Sequence, residues 1–151
     1  AAVRPSRRVL TMQATIERLC RLTAIQAALV VAAVHLLWAI PRVSVSLLLN
    51  PVDDARPFLF VPAALLLVAI AAALFRGHRY RRLSALGGGT LAALLSGYLL
   101  RVSQPLPAAL AGDPLVAVSK AAELVGVVAF ALLYYLHHPA RQGSPVETTE
   151  E

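Results

Sequence analysis

Long apolar runs, set apart by short polar clusters, dominate this chain. Four of them stand out, at about 22–40, 57–75, 83–102 and 115–136. Within each run the apolar residues are continuous and do not alternate with polar ones, which points to buried helices and not to half-exposed strands. Each is close to the roughly 20 residues that cross about 30 Å of hydrocarbon at about 1.5 Å per residue. A segment in lipid must satisfy its own backbone hydrogen bonds, and at these lengths only a helix does so. The pattern predicts an all-α integral membrane protein, a four-transmembrane-helix up-down bundle with short loops.

The polar punctuation fits these boundaries. Asp113 precedes Pro114, giving a capping carboxylate and then proline at the first helical position. Asp54 stands just before Arg56-Pro57 and suits the second run in the same way. Pro62 lies one turn further on, where proline bends a helix. Of the two outer connections, 41–56 holds the alternating stretch Val43-Ser44-Val45-Ser46-Leu47 and then a turn at Asn50-Pro51. The other, 103–113, is SQPLPAALAGD. Residues 1–21 read as a basic N-terminal segment, 22–138 as the membrane domain, and 139–151 as a disordered acidic tail.

Charge gives these runs a direction. The chain carries a net charge of +6 but only 15% charged residues, against about a quarter in soluble domains. Arg4, Arg7, Arg8, Arg18 and Arg21 precede the first run; Arg76, Arg79, Arg81 and Arg82 join the second to the third; Arg141 follows the fourth. The opposite side holds only Arg42, Arg56 and Arg101. By the positive-inside rule both termini are cytoplasmic, in the cell (plasma) membrane. The basic excess is then a topology signal assisted by anionic headgroups, not a nucleic-acid surface. The pair Arg7-Arg8 within SRRVLT has the look of a twin-arginine export signal. Glu17 and Arg18 interrupt what should follow it, and no small-residue cleavage site closes the apolar run. The chain opens on Ala1, so Met12 offers an alternative start that would leave residues 1–11 outside the natural protein.

Polar residues inside the runs carry the only chemistry. Lys120 and Glu123 interrupt the fourth run, about 8 and 12 Å below its outer boundary. His35 on the first run falls at about 8 Å, and Tyr98 and Ser96 on the third reach a similar layer, with Arg101 near the mouth. His35, Tyr98, Arg101, Lys120 and Glu123, joined by Ser119, therefore form a candidate intramembrane polar site in the outer half. A charge at the centre of a membrane costs at least about 2.5–3.5 kcal/mol, so such groups are functional candidates by default. Lys120 and Glu123 are three apart and share a helix face, which weakens that default and favours a plain structural ion pair packing the fourth run against the third. Lys120 can instead snorkel to the outer headgroups, leaving Glu123 to find Arg101, His35 or a proton.

Other constellations are missing. A single cysteine, Cys20, excludes a dithiol relay. His78, His137 and His138 lie at the inner edge, too far in depth from His35 for a bis-histidine haem. Adjacent His137 and His138 point to different helix faces, a poor metal site. The Asp53-Asp54 pair reads as a cap facing Arg56. No metal, cofactor or catalytic residue is expected. Trp38, Tyr80, Tyr134 and Tyr135 read as interfacial anchors. Small-residue stripes run along the first run (Ala24, Ala28, Ala32), the third (Gly89, Ala93, Gly97) and the fourth (Ala122, Gly126), allowing close helix approach. Gly87-Gly88-Gly89 reads as close packing and not as a phosphate loop. The partners expected are the lipid bilayer and other membrane subunits or a second copy. The functional expectation is a structural or accessory subunit. The alternative is a small homo-oligomeric proton, ion or solute transporter built around Glu123, Lys120 and His35. A lipid- or quinone-directed enzyme using His35, Glu123 and the Asp pair is the third reading.

Overall fold

The computed structural model describes residues 7–43, 56–78 and 80–137. The expected strand-like stretch after Val43, the Asn50-Pro51 turn, the Asp53-Asp54 pair with its capping role, His138 and the acidic tail lie outside the described residues. Every described element is helical. Helix α1 spans Arg7–Ala39 and runs into a 3-10 turn at Ile40–Arg42; α2 is Arg56–Phe75, α3 Tyr80–Leu99, α4 Leu106–Gly112 and α5 Pro114–Leu136.

Three segments are long and apolar enough to cross a membrane: Thr11–Arg42, Arg56–Phe75 and Pro114–Leu136. Helix α3 matches α2 in length, 20 residues, but not in apolarity. Arg81 and Arg82 occupy its first turn, and Ser84, Gly87, Gly88, Gly89, Thr90, Ser96 and Gly97 dilute the rest. Of the four expected spans, three are thus apolar helices fit to cross a membrane, and the fourth, α3, has the length of a span but a mixed surface. Two boundaries also differ from the sequence reading. The first helix does not begin near residue 22. No glycine or proline interrupts Arg7–Ala39, so the helix continues through the basic segment for about 50 Å at 1.5 Å per residue. The connection at 103–113 also folds a short helix of its own, α4.

The helix ends follow local chemistry. Asp113 accepts from the backbone N–H of Leu115 at 2.9 Å and of Val116 at 3.3 Å, with Pro114 behind it. These bonds satisfy donors that the first turn cannot. Asp113→Ala should cost about 1 kcal/mol and lower the melting temperature in detergent, whereas Asp113→Asn should hold it. Helix α2 ends on Gly77, whose φ of 80° is open to glycine at little cost. Gly77 N–H donates to the Leu74 carbonyl and His78 N–H to the Ala73 carbonyl, each at 3.1 Å, the paired bonds of a Schellman stop.

The four long helices alternate in direction. His35, near the end of α1, meets Phe60 near the start of α2 and Glu123 near the start of α5. Glu17, near the start of α1, meets His137 just past the end of α5, and Arg81 at the start of α3 meets Tyr134 at the end of α5. Helices α1 and α5 form the central pair; α2 packs on α1 and α3 on α5, while α2 and α3 touch far less. The buried seam uses small residues where backbones come close. Ala24, Ala28 and Ala32 of α1 are buried beside Leu67, Ile70, Ala71 and Leu74 of α2 and Phe130 and Leu133 of α5. Gly126 faces Leu91 and Ala27, and Gly87 and Gly88 face Phe130. The outer surface is apolar, with Leu37, Leu59, Leu65, Val128 and Leu132 exposed. Lipid tails are as apolar as these side chains, so dispersion contacts and polar pairs hold such helices together, not hydrophobic transfer.

Candidate functional site

The polar site grows from one face of α5. Ser119 and Glu123 lie one turn apart, and Lys120 and Glu123 lie three apart, so all three side chains converge. Glu123 is completely buried, although a carboxylate is rarely so unless paired. Lys120 Nζ donates to both of its oxygens, at 2.6 and 2.7 Å, and Ser119 Oγ donates to Oε1 at 3.1 Å. The carboxylate therefore receives three hydrogen bonds from its own helix. The Lys120 side chain is only 12% exposed and turns inward to Glu123, not outward to a headgroup. Its Nζ also lies 4.9 Å from the Tyr98 ring centre of α3, a cation–π contact.

Helix α1 supplies His35 across the interface. Its Nδ1 lies 2.8 Å from the Val31 carbonyl, which can only accept, so Nδ1 carries a hydrogen. That fixes Nε2 as the atom facing Glu123, with its lone pair toward the carboxylate when the ring is neutral. The separation from Oε1 is 3.9 Å, too long for a hydrogen bond. The ring is held edge-on by Phe60 of α2, with centres 4.6 Å apart. Phe60 in turn meets Trp38 at 5.3 Å. Arg42 and Arg56 then flank Trp38, at 4.3 and 5.1 Å from the ring centre, and Arg42 Nη1 donates to the Trp38 carbonyl. A continuous stack thus leads from the end of the bundle down to His35.

Of the residues expected from sequence, His35, Tyr98, Ser119, Lys120 and Glu123 come together. Arg101 is exposed, and the ion pairs of Glu123 among the described residues run to Lys120 and His35. Neighbouring depth in a membrane does not ensure a shared face, and Arg101 lies beyond the end of α3. Among the described residues no group of three or more histidine, cysteine, aspartate or glutamate side chains could hold a metal. The cluster can hold charge and join α1 to α5.

Sequence reasoning missed two features at the opposite end. His137 Nε2 lies 3.2 Å from Glu17 Oε1, and its Nδ1 lies 2.9 Å from the Leu133 carbonyl. Each end of the central pair therefore carries a histidine anchored on its own helix and aimed at a glutamate of the other. Once His35 faces Glu123 on antiparallel helices, counting back along α1 and forward along α5 by about four to five turns brings Glu17 to His137. That was the available signal. The second feature is Ser84, whose hydroxyl is buried without a hydrogen-bond partner. Beside the Glu17 end, an open apolar groove of about 390 Å³ runs between α1 and α5. Leu19, Cys20 and Thr23 line one wall, and Val125, Val128 and Leu132 the other.

No protein-family model, curated protein or solved structure matches the chain.

Proposed function

We propose that this protein is a structural or accessory subunit of the cell membrane, with α3 as the fourth span and both termini cytoplasmic. The observation that carries this reading is the outer face of α3. The small-residue stripe on α1 is spent inside the bundle, as is Gly126 on α5. The stripe on α3 is not: a Cβ added at Gly89 or Gly97 would meet nothing within 4 Å, and Ala93 between them is exposed. Bare backbone on a membrane helix favours another helix at close range, because lipid tails fill such a furrow poorly. The mixed polarity of α3 points the same way, since a helix covered on a second side needs less apolar surface.

The three hydrogen bonds on Glu123 speak against a carrier role. A carboxylate that already accepts three hydrogen bonds from its own helix, two of them from an ammonium, has less capacity left for a transported ion. The test is the mass of the complex after gentle solubilisation from native membranes, for wild type and for Gly89→Leu with Gly97→Leu. The expected result is an assembly containing another membrane protein, lost in the double variant while its thermal stability stays within about 1 kcal/mol, because no contact inside the bundle is touched. A wild-type chain recovered alone, or an assembly that ignores both leucines, overturns the reading.

A further inference from the structure

The two ends of the α1–α5 pair look alike but differ in what holds them. At the Glu123 end the cation is Lys120, an ammonium donating to both carboxylate oxygens. His35 stands off at 3.9 Å. At the Glu17 end no lysine is present, and the contact across the interface is the imidazole of His137 at 3.2 Å. Its Nδ1 hydrogen is committed to the Leu133 carbonyl. An unprotonated Nε2 and a carboxylate oxygen are both acceptors and cannot hold that distance. A proton must lie between them.

We propose that Glu17 and His137 form a proton-dependent latch, and that its release lets α1 and α5 part at that end while Lys120 and Glu123 keep the other end closed. The groove lined by Leu19, Cys20, Thr23, Val125, Val128 and Leu132 starts within a turn of the latch, between the same two helices. Parting the helices there widens this groove first. The hinge lies in the apolar seam between the ends, where Gly126 packs on Ala27 and Leu91. This device stands apart from the accessory-subunit reading and holds whether or not a partner covers α3.

The sign follows from the proton. Imidazoles change charge between about pH 5 and 8. With a proton on Nε2, His137 donates to Glu17 and the latch is shut; without it two acceptors face each other across 3.2 Å and the latch opens, so raising the pH favours the open form. Other charges bear on it. Arg21 lies one turn along α1 from Glu17, at the spacing of a helical ion pair. Arg18 is also on α1 at this end. Arg81 of α3 holds Tyr134 at 3.2 Å, one turn before His137, and exposed His78 follows α2 at the same end.

Cys20 lines the groove and is the chain's one cysteine, so it reports directly on opening. The experiment is the rate of alkylation of Cys20 by an uncharged maleimide in detergent micelles, at pH 5.5 and 8, normalised to a small free thiol. Wild type is expected to react at least threefold faster at pH 8 after that correction. Glu17→Gln and His137→Gln should be fast at both values. His137→Lys keeps a permanent cation opposite Glu17 and should be slow at both. His35→Gln should leave the wild-type pH dependence intact. A corrected wild-type rate that does not change with pH, or a His137→Lys protein that still accelerates at pH 8, overturns the latch.

Discussion

Lys120→Met is expected to cost the fold about 3–5 kcal/mol, the penalty for breaking a buried ion pair from one side. The reason lies in what remains. Glu123 has no exposure, and without Lys120 its carboxylate keeps a single hydroxyl donor, Ser119, and a histidine 3.9 Å away. Glu123→Gln should cost much less. The amide is neutral, can still accept from Ser119, and leaves behind a lysine that is 12% exposed and can reach outward along its flexible stem. The double variant should recover most of the Lys120→Met loss, because it leaves no bare charge. Unfolding in mixed micelles for the four proteins closes the cycle. A coupling near zero would mean that Glu123 draws its stability from elsewhere. A Lys120→Met protein as stable as wild type would mean that the carboxylate takes a proton once the ammonium is gone, and that His35 and Ser119 suffice to hold it.

That outcome bears on why the site was only partly legible in the sequence. Periodicity and depth located Glu123, Lys120, His35 and Tyr98 in one layer, because a helix rises by a fixed step and a membrane has a fixed thickness. Spacing also put Ser119 and Lys120 beside Glu123. Depth cannot say which way a side chain turns around the helix axis. Arg101 shared the layer and not the face; Lys120 could snorkel or turn inward, and only its neighbour Tyr98 and the enclosing helices decided. The Glu17–His137 contact was hidden for another reason. It joins a residue assigned to a cytoplasmic segment with one at the end of the last run, and the pairing appears only once α1 is known to continue unbroken to Arg7. The fold shows the same division. The existence and length of the helices follow from apolar runs and from the cap at Asp113. The weaker apolarity of α3 was visible in Arg81, Arg82 and the glycines, but a run of leucines and alanines masked it.

Leucine at Gly87 or Gly126 should disrupt the bundle, where leucine at Gly89 should not. Four glycines on two helices look alike in sequence, and the structure separates them by what they face. A Cβ at Gly87 would lie 2.6 Å from the Phe130 ring, and one at Gly88 would lie 3.2 Å from the Phe130 Cβ. At Gly126 it would overlap Leu91 and come within 3.1 Å of the Ala27 Cβ. Phe130 and Leu91 are both completely buried, so neither can swing aside without moving its own neighbours. Overpacking of this kind costs about 1–3 kcal/mol for a few added methylenes. At Gly126 it also forces apart the three helices that meet there, α1, α3 and α5. Gly126→Leu should therefore lower the melting temperature most, with Gly87→Leu next and Gly89→Leu close to wild type. A companion change separates steric cost from helix propensity: Gly126→Leu combined with Leu91→Ala frees the volume that the new side chain needs and should restore part of the loss. Leucine is a better helix former than glycine by several tenths of a kcal/mol, so a purely local effect would stabilise all three variants alike. If Gly89→Leu proves as damaging as Gly126→Leu in the isolated chain, α3 faces the other way and its open stripe belongs to the core.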